Sequence, residues 1–359
     1  MKERIKSLDA LRGIAALIIA FVGHQLYFPN IHLIRTFKAY SFYFVELFVC
    51  ISGFAIASNY KEKIKSTSFK EYIFKRIRRL YPLYWLTEFL ALSLQLVSYK
   101  KMGHFLFDAQ IDLFHVLSNF LGISCGWIIA SNPSNGPAWT IHVLMLCYIF
   151  YYFIARLSIR SNEKYLQALI ITAFFCVTGL FWRWNYSFIY HDNTLRCLFS
   201  FCIGCFLNEL YSHLNKSSQR NDLQLVWGGV CIIFIIILAI SLALAYVLGI
   251  DAFFGETRIV VIAFICPILV LSSIYVKAIR SLLESQLFLF LGKISFSVYL
   301  WHWVILLLMV IIDGNFLATP FGAALYSLIS LFIATFSNLF LEKRLDTAFM
   351  FAKEKLLGD

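Results

Sequence analysis

Ile232-Ile233-Phe234-Ile235-Ile236-Ile237-Leu238-Ala239-Ile240-Ser241-Leu242-Ala243-Leu244-Ala245 runs for fourteen residues with one hydroxyl and no charge. A strand crossing a bilayer alternates apolar and polar residues, because its two faces meet lipid and lumen. A continuous run has no polar face. In lipid every backbone group must be satisfied within the segment itself, so this stretch reads as helix. Comparable runs lie near 10–29, 40–58, 81–99, 139–157, 165–182, 194–212, 225–248, 257–276, 288–312 and 320–341. Each approaches the roughly 20 apolar residues that a spanning helix needs. The expected fold is therefore all-α: a polytopic integral membrane protein with about ten transmembrane helices.

Composition agrees. Of 359 residues, 60% are hydrophobic, 14% are charged and 37 are Phe. Mean hydropathy is +0.76. A soluble domain is about 45–50% apolar and about 25% charged. This excludes a soluble enzyme, a disordered chain and a coiled coil. The first run is long, carries His24 and is followed by no small-residue cleavage site, so it reads as a span rather than a cleaved signal peptide. The net charge of +11 does not point to nucleic acid, because its basic residues sort onto alternate connections. Lys2, Arg4 and Lys6 precede the first run. Lys61 to Arg79 follow the second, Arg156 to Lys164 the fourth, Lys216 and Arg220 the sixth, Lys277 and Arg280 the eighth, and Lys343 to Lys355 the last. Basic connections stay in the cytoplasm. With ten spans, both termini are expected there, with residues 1–346 as one membrane domain and 347–359 as a short cytoplasmic tail. Loop 100–138 is the longest outer connection and is turn-rich near Asn132-Pro133 and Asn135-Gly136-Pro137. The nine Cys fall mostly inside apolar runs. Cys202-x-x-Cys205 has neither a second pair nor a neighbouring carboxylate, so no metal or disulfide framework is expected.

Charges inside a span cost at least about 2.5–3.5 kcal/mol on insertion scales, so each needs a reason. The candidates are His24, Glu46, His142, Arg196 and His302. At about 1.5 Å per residue, His24 and His302 lie about 21 Å from the cytoplasmic side, and Glu46 lies about 9 Å from the outer side. These three share one layer. Arg12, Arg76, Arg79 and Glu342 form a second layer at the cytoplasmic face. Imidazole and carboxylate are the groups of acid–base chemistry, and guanidinium suits phosphate. A transporter with a polar interior site fits these facts as well as an enzyme does.

Five segments go further. Leu8-Asp9-Ala10-Leu11-Arg12-Gly13, leading to His24, resembles the opening helix of the membrane-bound acyltransferase-3 family. Glu46-Leu47-Phe48-Val49-Cys50-Ile51-Ser52-Gly53-Phe54 is similar to its Ser-Gly-Phe segment. Arg76-Ile77-Arg78-Arg79-Leu80-Tyr81-Pro82 is similar to its Arg-x-x-Arg-x-x-Pro motif. Leu291-Gly292-Lys293-Ile294-Ser295-Phe296 through Trp301-His302 resembles its late-helix signature, and Leu341-Glu342 its closing Glu. The matches occur in order over residues 5–346.

The resemblance implies transfer of an acyl group, most often acetyl, from acyl-CoA to a hydroxyl. It implies an acceptor that is a lipid-linked or surface polysaccharide sugar, and a bacterial inner-membrane location. His24 would be the general base, oriented by Glu46. Arg12, Arg76 and Arg79, with Ser52 and Gly53, would hold acetyl-CoA. Trp139, Trp301 and His302 would bind substrate, Trp301 and His302 by lining the acceptor or thioester cavity. Oligomeric state is left open. Two departures stand out. Eleven residues separate Arg12 from His24 where the family has ten; the extra residue is either absorbed by a π-type bulge or turns His24 about 100° away from its expected direction. The span beginning Trp139-Thr140-Ile141-His142 has Leu144 where the family has Glu, so that the Glu is dispensable, or His142 partly substitutes for it, or the chain is a less active member.

Overall fold

The structure is a computed structural model. It describes residues 5–26, 38, 40–107, 109–127, 133–181, 192–215, 226–230, 233 and 257–357. Most of the Ile232–Ala245 run lies outside the described residues. The described elements are all helical.

α1 (Lys6–Ile18) continues into a π-helical turn, Ile19–Gly23. α2 (Phe44–Tyr60) and the long α3 (Phe69–Met102) follow. Short α4 (Leu113–Leu121) sits in the connection to α5 (Trp139–Leu157). Next come α6 (Asn162–Phe181) and α7 (Asp192–Leu214). A second π turn, Val261–Ile265, leads into α8 (Cys266–Tyr275) and α9 (Lys277–Leu283). α10 (Gln286–Leu317), α11 (Pro320–Phe336) and α12 (Glu342–Leu357) close the chain.

Among the described residues, seven helical segments are long and apolar enough to cross a membrane, and α8 with α9 form a pair bent by 86°. The solvent of this fold is legible in which side chains face outward. Leu113, Phe114, Leu117 and Leu121 of α4 are 53–75% exposed, while its Ser118 and Asn119 are buried. Ile171 and Phe174 of α6 and Phe321, Leu328 and Phe332 of α11 are also exposed. Water would penalise this inside-out distribution; hydrocarbon does not.

Lipid supplies no hydrophobic drive between helices, so they associate through small residues that let backbones meet. α2 and α7 do this. A Cβ on Gly53 would lie 2.2 Å from the Phe201 carbonyl oxygen, and one on Gly204 would lie 1.9 Å from that of Cys50. α1 and α10 pack in the same way, through Gly13 and Gly292.

At the basic face α12 folds back on α3. Phe349 packs against Phe74 and Trp85, and Lys353 lies over the Phe74 ring. The segment expected as a tail beyond residue 346 is thus helical and docked. Arg78 Nε and Nη2 donate to the two carboxylate oxygens of Asp346, at 2.6 and 2.7 Å. This holds the Asp346 carboxyl below its ordinary value. A depressed carboxyl stabilises the docked form above the free value of about 4 and loses that contribution as pH falls through the lowered value. Both groups are about two-fifths exposed, so screening keeps the pair to about 1 kcal/mol or less. Amide exchange over 342–357 is accordingly expected to be flat from pH 5 to 8 once corrected for intrinsic rates. It should quicken only below about pH 4, and Asp346→Asn should show the quickened exchange already at pH 7.

Candidate functional site

A cavity of about 450 Å³ lies near the ends of α1 and α7 that face away from the basic surface. Its walls include His24, Phe42, Tyr43, Trp139, Arg196 and Trp303, with loop residues around Phe107 and Ser134–Pro137.

The π turn Ile19–Gly23 delivers His24 to this cavity. The His24 amide reaches back to the Ile19 carbonyl at 3.1 Å, an i to i−5 bond that takes up one extra residue. The eleven-residue spacing from Arg12 is therefore accommodated in the helix.

His24 Nδ1 lies 3.0 Å from His302 Nε2, and His302 Nδ1 lies 3.0 Å from the Val298 carbonyl oxygen. A carbonyl only accepts, so His302 Nδ1 carries the hydrogen. With one proton per ring, His302 Nε2 is then an acceptor and His24 Nδ1 donates to it. This leaves the lone pair of His24 on Nε2, without a described partner. The Trp303 ring stands edge-on to His24, with centroids 5.1 Å apart.

Glu46 corrects the expectation. It shares the level of His24, but its Oε1 accepts from Arg196 Nη1 at 2.6 Å, and it does not line the cavity. Arg196 is otherwise held by Asn193 Oδ1, at 3.1 Å from Nε and 2.8 Å from Nη2, and lies over the Trp139 ring at 4.8 Å. Depth along a helix gives a level and no azimuth. The close approaches of Gly53 to Phe201 and of Gly204 to Cys50 bring α7, and with it Arg196, against Glu46. His302 is the group that orients His24. It is fully buried behind that ring rather than lining the cavity.

Three further assignments move. Gly53 makes its close approach to the α7 backbone, not to a donor, and Ser52 Oγ donates to its own helix at Phe48 O, 2.9 Å away. Trp301 lies off the cavity; Trp303, two residues on, forms its wall. His142 is a structural hub. Its Nδ1 accepts from Ser124 Oγ at 2.9 Å and the Cys125 amide at 3.4 Å, and its Nε2 donates to Tyr84 Oη at 2.8 Å. Both nitrogens are occupied and neither meets the cavity. It does not replace the missing carboxylate at Leu144, which is itself buried in the apolar core. Trp139 lies in the cavity wall.

Glu88 joins the site from outside the residues expected there. It is 1% exposed, and its two oxygens accept from the backbone amides of Ser134 and Asn135, both at 2.9 Å. Asn135 Nδ2 donates to Leu300 O and Trp303 Nε1 to Ser134 O. Gln95, two turns further along α3, holds Leu106 through both its amide atoms. α3 thus pins two strips of the 100–138 connection around Trp303. The rule that singles out Glu46 applies equally to Glu88, a carboxylate inside the 81–99 run.

A second cavity, of about 360 Å³, opens at the basic face among Lys75, Arg78, Arg79, Phe296 and Glu342. Pro82 also lines it and cannot donate to the Arg78 carbonyl one turn back. Arg76 Nη2 donates to Tyr60 Oη at 2.5 Å, and its guanidinium is surrounded by Tyr60, Tyr72 and Tyr148. Arg12, Arg76 and Arg79 all lie within electrostatic reach of the buried Tyr148 hydroxyl. All three therefore face this part of the core. One aromatic pair stands between Arg12 and the other cavity. The Arg12 guanidinium lies 4.9 Å from the Phe48 ring, and Phe48 stacks on Tyr299, which lines the His24 cavity.

No group of His, Cys, Asp and Glu that could hold a metal ion occurs among the described residues. No curated protein and no solved structure shows significant similarity to the chain. Residues 5–339 match the family model described as an acyltransferase domain. That match spans nearly the whole chain, and with it this helical protein is placed in the acyltransferase-3 family.

Proposed function

We propose that the chain is a multi-pass O-acyltransferase of the bacterial inner membrane, with both termini cytoplasmic. It moves an acyl group, acetyl foremost, from acyl-CoA to a hydroxyl of a lipid-linked or surface polysaccharide sugar such as an O-antigen or exopolysaccharide. The observation that carries this reading is the His24–His302–Val298 chain, which leaves an imidazole lone pair at the wall of an aromatic cavity.

The donor enters from the basic side. Arg12, Arg76 and Arg79 hold its phosphates, for which guanidinium geometry is suited. Its thioester arm passes the Phe48–Tyr299 pair, which parts to admit it. The sugar lies in the opposite cavity against Trp139 and Trp303. His24 Nε2 takes the hydroxyl proton as the oxygen attacks the thioester carbonyl, a contribution of typically about 10²–10⁴-fold. His302 holds the ring in the tautomer this needs.

The test is labelled acetyl-CoA supplied to membranes containing the chain and its acceptor glycan, with label followed into glycan. Arg79→Ala is expected to raise the donor KM about tenfold or more while changing kcat little, since a phosphate contact made equally in ground and transition states acts on KM. An unchanged donor KM would remove Arg79 from the donor site. No label in glycan with the intact chain would end the reading.

A further inference from the structure

Addition of an alkoxide to a thioester places negative charge on the carbonyl oxygen, and acyl-transfer sites hold that charge with fixed donors. The base alone does not do this. Most donors in the wall of the His24 cavity are already committed. Trp303 Nε1 donates to Ser134 O, Tyr299 Oη to Pro137 O, Gln95 Nε2 to Leu106 O, and the Ser134 amide to Glu88.

Arg196 differs. It lines the same cavity and carries the one permanent positive charge among the described lining residues. Of its five N–H groups, three are used, by Glu46 and by Asn193. Two have no partner among the described residues. Its plane is fixed by these bonds and by the Trp139 ring at 4.8 Å. Its side chain is 11% exposed and that of Glu46 is fully buried, so the cation sits in a low-dielectric wall, paired with a carboxylate that does not itself line the cavity. Such a donor needs no reorganisation when charge appears in front of it.

We propose that Arg196 is a second catalytic residue, the electrophilic partner of His24, whose uncommitted N–H groups hold the oxygen of the tetrahedral intermediate. The step rests on the acyltransferase reading above. His24 Nε2 takes the hydroxyl proton as the C–O bond forms, and the carbonyl π pair moves onto oxygen facing Arg196. Collapse re-forms the carbonyl, breaks the C–S bond, and releases CoA thiolate, which takes the proton back from His24. The products are the ester and CoA thiol.

The experiment uses the full chain in lipid nanodiscs and two probes: CoA, and the trifluoroacetonyl thioether of CoA, whose hydrated ketone imitates the tetrahedral centre. Arg196→Lys keeps a charge beside Glu46 but loses the fixed fork. Arg196→Gln combined with Glu46→Gln keeps the site neutral should the lysine variant fail to fold. In whichever variant folds, CoA affinity should stay within threefold of wild type while affinity for the ketone falls at least thirtyfold. In turnover, kcat should fall about 10²–10³-fold, the range for loss of such a donor, with both KM values within threefold. Equal affinity changes for the two probes, or none, would overturn the assignment. So would a preserved kcat with a raised acceptor KM, which would make Arg196 an anchor for the acceptor. A wild-type chain that binds neither probe would instead defeat the acyltransferase reading itself, and this proposal with it.

Discussion

His24→Ala should leave glycan acylation about 10²–10⁴-fold below wild type, the span lost with a positioned general base, while CoA binding stays intact. The imidazole lies in the cavity wall, away from the Arg12 guanidinium beyond Phe48. Removing it therefore touches turnover without touching donor affinity. The same logic ranks a second variant. His302→Ala removes the acceptor for His24 Nδ1 and frees the ring to turn, so it should lower kcat by a smaller factor, since the base remains. Steady-state turnover with labelled acetyl-CoA, beside CoA titration, checks both. Full turnover in His24→Ala at normal expression would rule out His24 as the base. A drop in CoA affinity matching the drop in rate would relocate it to donor binding.

Glu88→Leu carries the largest expected loss of stability. The carboxylate is buried and accepts two backbone N–H groups at 2.9 Å. An orphaned buried donor costs about 1–3 kcal/mol, so removing both acceptors should cost about 2–6 kcal/mol. Any helix-propensity gain is only tenths of a kcal/mol. The damage should also reach the cavity. Ser134 O accepts from Trp303, and a Cβ on Gly136 would lie 2.7 Å from the Trp303 ring. If the loop slips, that wall slips with it. Glu88→Gln keeps one acceptor and should fall between wild type and Glu88→Leu. Thermal unfolding in detergent reads the first effect, and the KM for the acceptor glycan reads the second. A melting temperature unchanged in Glu88→Leu would mean that the loop finds its bonds elsewhere.

Much of the site was legible because lipid makes polar residues rare. His24, His302, Arg196 and Glu46 stand out in a chain with 14% charged residues, and all four lie at or directly behind the cavity wall. Their pairing was not legible. A shared depth pairs Glu46 with His24, yet depth is only one of the three coordinates that place a side chain. Gly53 shows the same gap. Its lack of a side chain signals close approach, and whether a ligand or a helix makes that approach depends on what packs there; here it is Phe201 of α7. Trp301 and Trp303 are two residues apart on one helix, hence about 200° around it, and hydrophobicity does not distinguish them.

Helical character, the positions of the apolar segments and the second cationic layer follow from sequence alone. They are set by local physics: backbone groups that lipid cannot solvate, and charges it does not tolerate. Which imidazole holds which tautomer, which carboxylate meets which cation, and which tryptophan faces the cavity were decided only by the tertiary structure. Those outcomes turn on the rotation of each helix about its own axis. That rotation is set by contacts between residues far apart in the chain, such as Gly53 with Phe201 and His24 with His302.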